Sequence, residues 1–226
     1  MEYPIAVNYK YTSNIYTAKE WLRDLPNLIA CDFETASKFT QQEKDLMKFR
    51  LDNRKLSFEE YRVLLQHYES NGLSHPSLTV ITHLSIAWSD RDSLVIVCDT
   101  EGIRQFIIRF LITTDCLQLW HNAPFDHKHI KYNSRDTLNH MGRQPKKFLD
   151  TMLMSKCLLN DANPYRDKVS LKELMAYAYG DWAISKEEFT LEEMWKESTI
   201  KYSGTDACAT FKLYQDLQEE TTKWRI

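Results

Sequence analysis

"LIACDFETASK", residues 28–38, is the stretch on which the fold turns. Leu28 to Cys31 form a short continuous apolar run directly after Pro26-Asn27. A run of that kind predicts a strand covered on both faces, as in a sheet flanked by helices. Alternate side chains of a strand share a face, so Asp32 and Glu34 should project together at its C-terminal end. Two carboxylates held that close repel, and at least one pKa must rise. A divalent cation would remove the conflict. The other reading is a solvated strand end, and a lone Asp-x-Glu is too common a pattern to choose between them.

Capping boxes mark the helices around this strand. Ser/Thr-x-x-Glu recurs at Thr17/Glu20, Thr40/Glu43, Ser57/Glu60, Ser170/Glu173 and Thr190/Glu193. There a hydroxyl and the later carboxylate satisfy orphan N–H groups. The spacing predicts helices near 18–24, 41–52, 58–70, 171–179 and 191–196, another over 101–112, and a long last one from about Ser198 to Lys223. "LTVITHLSIAW" (78–88), "SLVIVCD" (93–99) and "LQLW" (117–120) read as strands. The order implies an α/β fold, a mixed sheet flanked by helices. Residues 38–77 stand apart as two charged helices, expected to be a surface decoration, with a docking arm for a partner or DNA as the alternative.

The whole chain narrows the function classes. Its 226 residues suffice for one core, and a single domain over 1–226 is expected. Net charge is -3, so no global basic field announces nucleic acid, and any such contact must be local. Five cysteines without C-x-x-C spacing read as reduced thiols rather than zinc ligands. No signal peptide or membrane-spanning apolar run is visible, so a cytoplasmic location is expected.

Further acids follow in order. In "WHNAPFDHKHI" (120–130), Asn122 and Asp126 lie on a turn from a strand into a helix, where clefts often form. His121, His127 and His129 lack a standard zinc spacing, and His127 and His129 read as surface residues of a basic stretch facing phosphate. In "KYSGTDACATFKLY" (201–214), Tyr202 and Asp206 sit one helical turn apart. Gly204 in mid-helix costs about 1 kcal/mol relative to Ala, a hint that something approaches the backbone there.

Together these motifs resemble the proofreading 3′–5′ exonuclease domain of family A DNA polymerases, of the phage type. That is the tyrosine subtype of the DEDD superfamily, on a ribonuclease H-like fold. "DFET" matches its first motif, "HNAPFD" its second and "YSGTD" its third, while "LDTMLMS" (149–155) and "VSLKELMAYAYG" (169–180) resemble the stretches between the last two. The resemblance implies a mixed five-stranded sheet; the helical insertion at about 38–77 departs from the family pattern, being longer than the loop expected after the first motif. The resemblance also implies catalytic residues Asp32, Glu34, Asp126, Tyr202 and Asp206, with the four acids holding two divalent cations, Mg²⁺ or Mn²⁺. Thr35, Asn122 and Phe125 are implied as substrate-binding residues, although Phe125 could equally pack into the core.

The expected function is removal of nucleoside 5′-monophosphates from DNA 3′ ends, proofreading for a polymerase domain or subunit, in a host cytoplasm if phage-encoded. Ribonuclease D-like and Werner-type exonucleases share the same acids and tyrosine, so RNA is the alternative substrate. A catalytically silent binding or docking module is the alternative of another class.

Overall fold

The strand that begins at Leu28 is longer than its apolar run: β2 spans Leu28–Ser37 and carries both acids within it. The computed structural model describes residues 7–39, 41–53, 57, 76, 79–137, 143–158, 170–179 and 191–223. Along β2 the faces alternate as the sequence predicts. Ile29, Cys31 and Phe33 enter one core, while Ala30 enters another on the opposite face.

The strands β1 (Asn8–Thr12), β3 (Thr79–Ala87), β4 (Asp92–Val97), β5 (Leu117–Trp120) and β6 (Phe148–Asp150) join β2 in one sheet of order β1-β4-β3-β2-β5-β6. β3 is antiparallel to β2 and β4, and the remaining pairs are parallel. Among the described residues the sheet thus has six strands where the resemblance implied five. Four of the six were placed from the sequence, and the two that were not, β1 and β6, are the edges. An edge strand keeps a solvated side, so "NYKYT" shows no apolar run to betray it.

Helices cover both faces. α1 (Ile15–Arg23) and α3 (Glu101–Thr113) lie on the Phe33 side. Ile103, Ile107, Ile108, Leu111 and Ile112 make the buried stripe of α3, and the Thr100 hydroxyl caps its start. Burying each such side chain stabilises the fold by about 1.5–3 kcal/mol. α1 begins earlier than the capping box at Thr17 suggests. Asn14 is the cap, its Oδ1 accepting the N–H groups of Tyr16 at 2.8 Å and Thr17 at 3.3 Å.

On the other face lies α7 (Glu197–Lys223), with Ala207, Cys208, Phe211 and Tyr214 packed on Ala30, Ala87 and Leu119. Gly204 permits this approach. A Cβ there would stand 2.8 Å from Ser93 Oγ and 3.3 Å from Val95 Cγ2. One residue earlier, the Ser203 and Ser85 hydroxyls share a hydrogen bond of 2.5 Å. The glycine that weakens the helix locally is therefore what lets it lie flat on β4.

α4 (Ala123–Thr137), α5 (Thr151–Leu158) and α6 (Leu171–Tyr179) complete the layers. The helix expected over 191–196 reduces to one 3₁₀ turn, Leu191–Glu193. Of the insertion, α2 (Gln41–Asp52) matches the predicted helix, while the second helix, expected near 58–70, lies outside the described residues. Among the described residues no helix is long and apolar enough to cross a membrane.

Candidate active site

Asp32 and Glu34 do share a face of β2, and α7 brings Asp206 to them: one carboxylate oxygen from each lies within 4.8 Å of the others. A bulge between Glu34 and Thr35 breaks the register with β3 and leaves Thr35 half-buried beside the acids. Bulges re-aim side chains next to active sites. Here the Thr82 hydroxyl holds the bulge by donating to the Glu34 carbonyl at 3.0 Å.

Asp126 comes from the first turn of α4 and is buried. Its Oδ1 accepts the N–H of Phe33 at 3.3 Å. That bond ties the second acidic motif to the backbone between Asp32 and Glu34. Tyr202, one turn before Asp206 on α7, is buried and hydrogen-bonds to Asp206.

The acids repel one another in a cluster where Asp32 and Glu34 are half-buried and Asp206 is buried. Burial raises Glu34 well above the usual carboxylate range, and the charges of Asp32 and Asp206 raise it further. Burial likewise raises Asp126, with Asp32 adding to it and the Phe33 N–H opposing. Burial and the charges of Asp206, Glu34 and Asp32 push the Tyr202 phenol up, so it stays protonated. An all-oxygen, self-repelling donor set of this kind fits a hard divalent cation such as Mg²⁺ or Mn²⁺.

The turn that presents Asp126 is built on Asn122, whose φ of 66° is the left-handed conformation that asparagine tolerates. Asp150, at the end of β6, holds this turn. Its Oδ1 accepts the Asn122 N–H at 3.1 Å and its Oδ2 the Ala123 N–H at 3.0 Å. The same carboxylate caps α5 through the N–H groups of Met152 at 2.9 Å and Leu153 at 3.3 Å. The cap was legible in "LDTMLMS"; the bond back to the second motif was not.

Two histidines are placed differently from expectation. His127 and His129 are buried rather than facing phosphate. His127 packs edge-on against Trp120 and Phe148, and burial pushes it down to about 4. The signal for its burial was present: Ala123, Asp126, His127 and Ile130 follow helical spacing on one face. Phe125 is half-buried, with the Lys128 ammonium 4.5 Å from its ring centre.

Lys172, in the first turn of α6, carried no expectation. Its ammonium forms an ion pair with Asp206 and sits 4.1 Å from the centre of the Tyr202 ring. A cation in the first turn of a helix opposes the macrodipole, and that was the available signal.

Comparisons with known proteins agree with this geometry. No curated protein matches the sequence. Among solved structures, NrnC from Brucella melitensis superposes with a TM-score of 0.58 at 16% identity, over 97% of this chain and 82% of that one. Escherichia coli RNase D gives 0.57 at 12% identity, over 96% of this chain and 46% of that one. The catalytic core of RRP6 from Trypanosoma brucei gives 0.56 at 11% identity, over 96% and 48%. These likenesses show the mixed, helix-flanked sheet as a shared fold. The family model described as 3′–5′ exonuclease, of the DNA polymerase A type, matches residues 67–222. The match begins after β2, so Asp32 and Glu34 join the rest of the site through the fold. The chain belongs to this 3′–5′ exonuclease family.

Proposed function

We propose that the protein is a metal-dependent 3′–5′ exonuclease that releases nucleoside 5′-monophosphates from nucleic acid ends. The observation that carries the proposal is the convergence of Asp32, Glu34 and Asp206 within 4.8 Å, with Asp126 tied to the same strand. Asp32, Glu34 and Asp206 would hold one divalent cation, and Asp126 with Asp32 a second. When bound, such a pair supplies an activated water and charge neutralisation at the scissile phosphate. Tyr202, whose phenol is pushed up by burial and the neighbouring carboxylates, would orient the attacking water by its hydroxyl. Thr35, Asn122 and Phe125 line the approach of the terminal nucleotides, and stacking on Phe125 would be sequence-tolerant.

The polymerase-type motifs support DNA 3′ ends as substrate, with a polymerase domain or subunit as partner. A different observation supports RNA. The fold is shared with E. coli RNase D, described as an exoribonuclease involved in structured RNA processing, and with NrnC, also solved bound to pGG. A silent binding module would be expected to lack at least one of the acids, and Asp32, Glu34, Asp126 and Asp206 are all present.

The test is direct. 5′-labelled single-stranded DNA, matched duplex and RNA are incubated with the chain and Mg²⁺, Mn²⁺ or EDTA. The expected result is a metal-dependent ladder shortening from the 3′ end, abolished in the Asp32→Ala/Glu34→Ala double variant. Degradation by that variant at the parent rate would sink the assignment, and the relative rates on DNA and RNA choose the substrate.

A further inference from the structure

We infer that Lys172 is a built-in counter-ion of the acidic site, occupying the Asp206 carboxylate until a divalent cation displaces it and thereby setting how much metal the site requires. This rests on the metal-binding reading above and concerns a residue outside the acids and tyrosine of that reading.

The placement is deliberate in physical terms. α6 is not a loose surface helix. Leu171, Leu174 and Met175 pack against Ala209, Leu213 and Leu217 of α7, so the first turn of α6 is delivered to the Asp206 side of that helix. Ser170 caps α6, its hydroxyl bonded to Glu173 Oε2 at 2.7 Å. Lys172 then crosses to the site, with its side chain 24% exposed. Its ammonium lies over the Tyr202 ring, and its charge counters the repulsion that raises Glu34.

An ammonium paired with Asp206 makes one compact positive charge among several carboxylates. It relieves part of their repulsion, which stabilises the metal-free fold. It also blocks one oxygen of the triplet and repels any incoming cation. A like charge held that close to the carboxylates weakens cation binding by at least about tenfold.

The experiment measures Mn²⁺ binding by calorimetry, with no substrate present. Lys172→Met removes the charge and keeps the apolar stem. Lys172→Gln is a second neutral variant should the first fail to fold, and Lys172→Arg retains the charge. The expected result is Mn²⁺ binding tightened at least about tenfold in the neutral variants, near-parent affinity in Lys172→Arg, and a lower melting temperature of the neutral variants in EDTA. Unchanged or weaker Mn²⁺ affinity in the neutral variants would overturn the counter-ion role while leaving the metal site standing. So would equal tightening in Lys172→Arg, because packing rather than charge would then be responsible. If the parent chain binds no Mn²⁺, or Asp206→Ala binds it as the parent does, the Asp206 metal reading itself falls and this inference with it.

Discussion

Asp206 and Asp126 reach the same cluster by opposite means. Asp206 rides on a 27-residue helix whose position is set by shape: small residues at Ser203, Gly204 and Ala207 let α7 lie against the sheet. Asp126 rides on a tight turn whose position is set by polar bonds, from Asp150 to two backbone N–H groups and from Asp126 itself to Phe33. Packing is spread over many contacts and degrades gradually. A clamp of a few hydrogen bonds fails all at once when its one carboxylate is lost. Damage to the turn should therefore appear as lost activity, and damage to the helix seat mainly as lost stability.

The sharpest break is at Asp150. Replacing it with alanine releases the Asn122 turn and uncaps α5 together. The expected loss in kcat is roughly 10–100-fold, as for other residues that orient ligands of a metal site. The stability loss should stay near that of a missing helix cap, about 0.5–2 kcal/mol. Asp150→Asn, which retains one carbonyl oxygen, should fall between. Steady-state kinetics and urea melts on both variants check this. Activity and stability falling in strict proportion would mean that Asp150 is a cap and nothing more.

Gly204→Ala attacks the other region. The helix gains about 1 kcal/mol of propensity, but the new methyl meets Ser93 Oγ at 2.8 Å. Overpacking costs about 1–3 kcal/mol, so a net loss of stability is expected with kcat changed less than in Asp150→Ala. Adding Ser93→Ala removes the blocking oxygen and should recover part of the loss. A stabilised Gly204→Ala variant would show that α7 has slack, and that shape does not hold Asp206.

The contrast also explains what the sequence disclosed. The two-residue period of a strand put Asp32 and Glu34 on one face, and the helical turn paired Tyr202 with Asp206. Gly204 flagged a close approach. Those signals are local, within a few residues. The Asp126 bond to Phe33 joins residues 93 positions apart and leaves no periodicity behind. The same holds for Asp150, visible as a cap but silent about Asn122, and for Lys172, whose partner lies 34 residues away. His127 and His129 were misread because the flanking lysines suggested a solvated basic run, although the helical spacing of Ala123, His127 and Ile130 pointed inward. The edge strands escaped because half-exposed strands need no apolar run.

His83 tests the comparison from inside the shape-held region, through the pH dependence of stability and not through activity. It pairs in register with Glu34, but its ring Nε2–H donates to the Met194 carbonyl at 2.8 Å, fastening the segment that leads into α7. A carbonyl cannot donate, so the imidazole carries a proton on Nε2. Burial pushes His83 from 6.5 down to about 4. The folded state therefore binds fewer protons than the unfolded chain between those values. Its contribution to stability is full above the unfolded pKa and is lost as pH falls from 6.5 through 4, by about 3 kcal/mol at most. His83→Gln keeps a donor for Met194 and cannot titrate. The variant should lose stability less steeply than the parent between pH 7 and 4 in urea melts, the remaining slope including His127, which is also pushed down to about 4. A slope identical to the parent's would remove His83 from the account and return the whole seat of α7 to packing alone.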